Sequence, residues 1–184
     1  GYSDIIIGDW QDQLGAEVSE GVALVYHGSA TGISTTPTTI IEGGASNRYL
    51  GRSVSTAGDI NGDGYADVLI GCIWWSNSHT NEGATFVHLG SPAGISSSAF
   101  LRYEPNLNNA NMGEWVSTAG DVNGDGYSDM ILGAPGLNRV YIYHGGAYSV
   151  STTAAFSRSG GVAGAQLGTA VANAGDVNGD GYAD

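Results

Sequence analysis

Lysine is absent from this 184-residue chain, and arginine occurs five times against eighteen acidic residues. The resulting formal charge of −13 excludes ordinary electrostatic binding to nucleic acid or to an anionic membrane surface, since both need a basic face. Cysteine occurs once, as Cys72, so no disulfide can close within the chain. Cys72 follows an apolar run and has no base near it in sequence, which predicts an inert, buried thiol. No apolar stretch reaches the length of a membrane-spanning helix, and the opening GYSD has no signal-peptide pattern. Neither a G-x-S-x-G elbow nor an H-E-x-x-H pair is present, and the expectation is a protein that is not an enzyme. Helical periodicity is also missing from every window of useful length. Disorder is excluded too, because 41% of the residues are hydrophobic and the apolar ones recur in regular runs.

What the chain has in excess is glycine, at 31 residues, together with Ser, Thr and Asn, the chemistry of many short strands and turns. It also repeats itself. Tyr2, Tyr65, Tyr127 and Tyr182 hold the same place in GYxD, at spacings of 63, 62 and 55 residues. LGRSVSTAGD (50–59), MGEWVSTAGD (112–121) and LGTAVANAGD (167–176) precede the acidic phrase, and DIIIG, DVLIG and DMILG follow it. Then come GVALVYHG, GATFVHLG and NRVYIYHG, and after a turn the short runs TTIIEG, AFLRYE and AAFSRS. Each period therefore predicts four short strands, A to D, with B apolar on both faces as a strand between two sheets requires. Tandem four-stranded sheets predict an all-β fold, a β-propeller of antiparallel blades. Residues 1–49 supply strands B, C and D, residues 50–111 and 112–166 a full blade each, and residues 167–184 a last A strand with its loop. Three blades are too few to close a ring. The expectation is a piece of a larger propeller, or an assembly in which the last A strand of one copy completes B-C-D of another.

The acidic phrase is GDINGDGYADVLIG at 58–71. Counting from Asp59, the oxygen-bearing positions 1, 3, 5 and 9 are Asp59, Asn61, Asp63 and Asp67, and position 7, Tyr65, offers its backbone carbonyl. The second copy gives Asp121, Asn123, Asp125, Tyr127 and Asp129, and the third Asp176, Asn178, Asp180, Tyr182 and Asp184. Alternating oxygen ligands on a tight loop suit Ca²⁺, which takes six to eight of them. A plain polar hairpin is the alternative for any one copy, because Asn-Gly and Asp-Gly make turns unaided. Three copies with the same acidic positions favour the metal, since a turn needs no further carboxylates. Three Ca²⁺ ions would bring the charge from −13 to −7. An EF-hand would need an acid at position 12, where Ile70 and Leu132 stand instead. The all-oxygen set argues against zinc or copper, and magnesium resists all-protein cages.

LGxxVxxAGDxNGDGYxDxxxG, with LGAP at 132–135 and VYIYHG at 140–145, resembles the FG-GAP repeat of integrin α-subunit propellers and their bacterial relatives. The family's Phe-Gly is replaced by Leu50-Gly51, Met112-Gly113 and Leu167-Gly168, and its GAP by GDW at 8–10 and GCI at 71–73. The resemblance implies a Ca²⁺-stiffened propeller, usually extracellular or on the cell surface, with an adhesive or other interaction role. It also implies that the metals lie on the face away from the usual ligand surface, and it identifies no partner.

Strand direction places the A–B and C–D loops on one face and the B–C and D–A loops on the other. On the second face the sequence puts Trp10, Trp74, Trp75, Asn77 and His79. Exposed tryptophans beside amides stack on sugars or anchor protein partners, whereas the plainer reading packs them between blades. A lectin-like or polysaccharide-active propeller, or an architectural subunit of a surface array, are thus alternatives to a protein-binding module. His27 and His144 end equivalent C strands where the other repeat has Leu89, a packing position rather than a catalytic one. Asp4 and Asp9 are a carboxylate pair only in appearance, because Asp4 is position 9 of a shortened loop.

Overall fold

The computed structural model describes residues 1–13, 17–147 and 150–184. Its strands fall into three successive antiparallel meanders. The first sheet joins β1 (Ile5–Asp9), β2 (Val22–Tyr26) and β5 (Thr39–Glu42), with a two-residue hairpin of β3 (Gly28–Ser29) and β4 (Gly32–Ile33) in the turn between β2 and β5. The second runs β6 (Leu50–Gly58), β7 (Asp67–Cys72), β8 (Ala84–His88) and β9 (Leu101–Tyr103). The third runs β10 (Val116–Gly120), β11 (Asp129–Ala134), β12 (Arg139–Tyr143) and β13 (Phe156–Ser159). These are the predicted B-C-D, A-B-C-D and A-B-C-D sets of a propeller. No helix among the described residues is long and apolar enough to cross a membrane.

The sheets stack face to face, and β7 shows why its sequence is apolar throughout. Val68, Ile70 and Cys72 point into a core shared with Ala23 and Ile41 of the first sheet. Leu69 points the other way, into a core with Val116, Met130 and Leu132 of the third. The period-two alternation of a strand thus serves two interfaces. Tyr103 and Tyr143 bridge the second and third sheets with ring centroids 4.2 Å apart. Cys72 is buried, and burial pushes its thiol pKa up to about 12, so it stays protonated at neutral pH.

Two expectations are corrected here. The sequence pattern predicts Ile5 and Ile7 in a strand buried on both faces, but they are 43% and 46% exposed. Only Ile6 of the three packs on the core, because among the described residues no sheet lies against the outer face of β1. Residues 167–176 were expected to form strand A of a further blade, yet no strand is formed there. A β-ladder needs a partner, and among the described residues no strand pairs with this segment. The chain nevertheless begins the turn back, with Ala174 N–H on Asp184 O and Asp184 N–H on Gly175 O, both at 2.9 Å.

Each A–B hairpin is irregular just before its acidic loop. The pairing shifts between Thr56 and Gly58, and between Thr118 and Gly120. Both glycines have φ of +73°, the left-handed conformation of a glycine bulge. The bulge sets Gly58 opposite Asp67 and Gly120 opposite Asp129, which fixes where loop position 9 enters the next strand.

Candidate functional site

The three acidic loops have one geometry. Asp59 Oδ1 accepts from Gly62 N–H at 2.7 Å and Asp63 N–H at 3.1 Å, and its Oδ2 from Gly64 N–H at 2.8 Å. The corresponding distances around Asp121 are 2.7, 3.1 and 2.8 Å, and around Asp176 they are 2.6, 3.1 and 2.9 Å. Position 5 repeats the pattern, with the Tyr65, Tyr127 and Tyr182 N–H groups on Asp63, Asp125 and Asp180 at 2.9, 3.0 and 3.0 Å. Asn61 and Asn123 donate their side-chain amides to Asp63 and Asp125. Asn61, Asn123 and Asn178 also accept the N–H of the residue two further on.

Position 9 plays a different part. Asp67 and Asp129 are fully buried. Asp67 Oδ2 accepts from Ile60 N–H at 3.0 Å, and its Oδ1 reaches across to Gly90 N–H at 2.8 Å at the end of β8. Asp129 does the same with Val122 and Gly145. Asp4 keeps the second contact, accepting from Gly28 N–H at 2.8 Å, and Asp184 keeps the first, from Val177 N–H at 3.0 Å. This carboxylate therefore latches the loop to the neighbouring hairpin as well as facing the acidic cluster. Burial pushes the Asp67 pKa up to about 6, with the charges of Asp63 and Asp59 adding to the rise and the two N–H donors opposing it. Asp129 is raised for the same leading reason. Exposed Asp176 is lowered, first by the Gly181 N–H.

Among the described residues, no three acidic, histidine or cysteine side chains converge closely enough to hold one ion between them. Both oxygens of Asp67 and of Asp129 already accept backbone N–H groups. The donor set still fits a hard cation in kind. It is all oxygen, and a carboxylate oxygen with one hydrogen bond retains a free lone pair. Asp59 Oδ2 and both oxygens of Asp63 and Asp67 are in that state.

The other face separates the predicted aromatic residues into two groups. Trp10, at the β1–β2 turn, lies against Tyr49 with centroids 5.2 Å apart, and Tyr49 meets Trp74 edge-on at 4.5 Å. Arg52, paired with Glu114 at 2.7 Å, extends over the Trp10 ring. Trp74 remains 43% exposed. Trp75 instead packs between blades, edge-on to Phe86, with Arg48 and Arg102 over its ring and its indole N–H donated to Glu104. Asn77 is exposed and donates its backbone N–H to Oε1 of the buried Glu82 at 2.9 Å. His79 Nδ1 lies 3.6 Å from Glu82 Oε2. His27 and His144 are half-buried at strand ends.

Sequence reasoning missed Tyr49, which joins the two tryptophans. Its φ is +56°, and the matching residues Asn111 and Gln166 have φ of +53° and +57°. Asparagine tolerates that conformation, while a bulky aromatic adopts it rarely. A tyrosine at the place where the next repeat has asparagine was the available signal.

The FG-GAP-like repeat profile matches residues 121–184, and the FG-GAP repeat profile matches residues 50–71. Integrin alpha-PS5 of Drosophila melanogaster is 37% identical over 121 residues, which is 62% of this chain and 11% of that protein. Integrin alpha-4 of Xenopus laevis is 32% identical over 146 residues, 74% of this chain and 14% of that one. Integrin alpha-6 of Homo sapiens is 30% identical over 119 residues, 63% and 10%. The chain thus spans roughly a tenth of the length of these relatives. With the repeated sheets and the matched repeats together, the chain is an FG-GAP repeat protein of the integrin-α-like kind.

Proposed function

We propose that this chain is a calcium-stiffened propeller segment that works outside the cell as an interaction or adhesion module, without catalytic activity. The observation that carries this reading is the threefold recurrence of one loop geometry around the same acidic positions. Asp59, Asn61, Asp63 and Asp67 with the Tyr65 carbonyl hold one cation, and the equivalent residues at 121–129 and 176–184 hold two more. A bound Ca²⁺ supplies the positive charge that clustered carboxylates lack. The loop backbone orients positions 1 and 5, and the position-9 latch ties the site to the next hairpin. Native mass spectrometry in calcium is expected to show three ions per chain, lost on chelation. A chain that binds none would reduce the loops to polar turns. The same spectra report pairing of copies, the outcome expected if residues 167–175 of one copy add to the open edge of β1 in another.

A second reading is favoured by Tyr49, whose uncommon backbone conformation sets its ring between Trp10 and Trp74. Such strain concentrates at functional surfaces. In this reading a sugar stacks on exposed Trp74. Glycan-array binding is then expected to be lost in Trp74→Ala with the melting temperature unchanged. The absence of any glycan hit for the wild-type chain would discard this reading.

A further inference from the structure

The acidic loops touch one another in a fixed order. The Tyr127 ring of the second loop lies over Gly62 of the first, so close that a Cβ there would sit 2.4 Å from the ring. The Tyr182 ring of the third loop lies over Gly124 of the second in the same way, at 2.3 Å. The backbone repeats the contact. Ser128 N–H donates to Asp59 O, and Ala183 N–H donates to Asp121 O, each at 3.0 Å.

These two donors belong to particular peptide groups. The Ser128 N–H shares its planar amide with the Tyr127 carbonyl, and the Ala183 N–H shares its own with the Tyr182 carbonyl. Those carbonyls are position 7 of the second and third loops. One face of the amide is thus held by the first residue of the preceding loop, and the other is the oxygen assigned to the cation. A planar amide cannot turn one end without the other. Hydrogen bonding at its N–H also polarises its carbonyl oxygen and strengthens it as an acceptor.

We infer that the three loops bind Ca²⁺ cooperatively, coupled through these shared amides and the tyrosine rings above them. The inference rests on the calcium reading proposed for the loops. An ordered first loop holds Asp59 O in place, and this sets the Tyr127 carbonyl for the second. The second loop acts through Asp121 O on the Tyr182 carbonyl of the third. Coupling of binding is reciprocal, so each ion strengthens its neighbour by the same factor.

The test is a calcium titration of the full chain by native mass spectrometry and calorimetry. The wild-type chain is expected to pass from no calcium to three, with the one- and two-ion species scarcer than independent sites allow. Asp63→Ala, which disables the first loop, is expected to weaken binding at the second by about fivefold or more. Tyr127→Ser retains every proposed ligand atom and is expected to bring the titration towards independent sites, whereas Tyr127→Phe keeps the ring and the cooperativity. Three ions filling statistically, with the remaining affinities unchanged in Asp63→Ala, would overturn the coupling while leaving the calcium reading intact. A wild-type chain that binds no calcium removes both.

Discussion

Chelation of calcium is expected to lower the melting temperature of this chain by about 15 °C or more. A ligand that binds only the folded state stabilises it by about 2.7 kcal/mol at a hundred times its dissociation constant. On the proposed reading three such sites act together, and in a domain of this size each kcal/mol moves the midpoint by roughly 2–4 °C. The loops without metal are stressed rather than empty of structure. The N–H groups around Asp59 and Asp63 hold their shape, but nine carboxylates in three loops repel one another. Asp67 adds the cost of burying a charge, with the neighbouring carboxylates Asp63 and Asp59 contributing less. Its folded pKa of about 6 lies above the ordinary 3.8. Without metal, its contribution to stability is therefore fully present only below about 3.8 and is lost as pH rises through about 6. Calcium must displace that proton when the pH is low. The gap in melting temperature between calcium and EDTA is accordingly expected to be wide at pH 7.5 and to narrow as pH falls through about 6. Thermal melts at both pH values measure it, and equal midpoints with and without EDTA at pH 7.5 would defeat the structural role given to the metal.

Most of the sheet architecture was legible because each strand repeats three times in one phase. Val68-Leu69-Ile70 reads as a doubly buried strand and is one, since each parity of the alternation meets a different sheet. Ile5-Ile6-Ile7 reads identically and is not, because the pattern records what a strand needs and not whether a neighbour is beside it. The same limit applies to residues 167–176, which resemble residues 50–59 and 112–121 in sequence yet pair with no strand among the described residues. The acidic positions were legible from spacing alone. The latch made by position 9 was not, because Gly28, Gly90 and Gly145 lie far from Asp4, Asp67 and Asp129 in sequence. Adjacent Trp74 and Trp75 show the same thing on the other face. They are alike in sequence, yet one is on the surface and the other lies between two arginines. Only the path of the surrounding loop separates them.

Gly71→Ala is expected to cost more than about 4 kcal/mol, the range reached by few single substitutions. A glycine inside a strand normally weakens it, so alanine would ordinarily help there. Gly71 is different because a Cβ would lie 2.0 Å from the carbonyl oxygen of Gly113. That oxygen is backbone, and no rotamer change can move it aside. The contact recurs at every blade junction. A Cβ on Gly8 would lie 2.1 Å from Gly51 O, and one on Gly133 would lie 2.0 Å from Gly168 O. Gly51, Gly113 and Gly168 have φ of +80°, +84° and +98°, which turns each of these carbonyls onto the preceding sheet. The glycine of the Leu-Gly or Met-Gly pair and the glycine that ends strand B are therefore two halves of one interface. This accounts for their persistence where their neighbours vary: Asp9-Trp10, Cys72-Ile73 and Ala134-Pro135 follow the second glycine in the three sheets. An alanine at 71 must push β7 away from the third sheet, and with it Leu69 out of the core it shares with Met130 and Leu132. Gly161→Ala provides the control, since its Cβ would meet nothing within 4 Å. It is expected to fall within about 0.5 kcal/mol of the wild-type chain. Urea unfolding of the two variants in calcium separates steric conflict from the general effect of removing a glycine. A Gly71→Ala chain within about 1 kcal/mol of wild type would mean that the junction yields, and that glycine is there for some reason other than the approach of the two backbones.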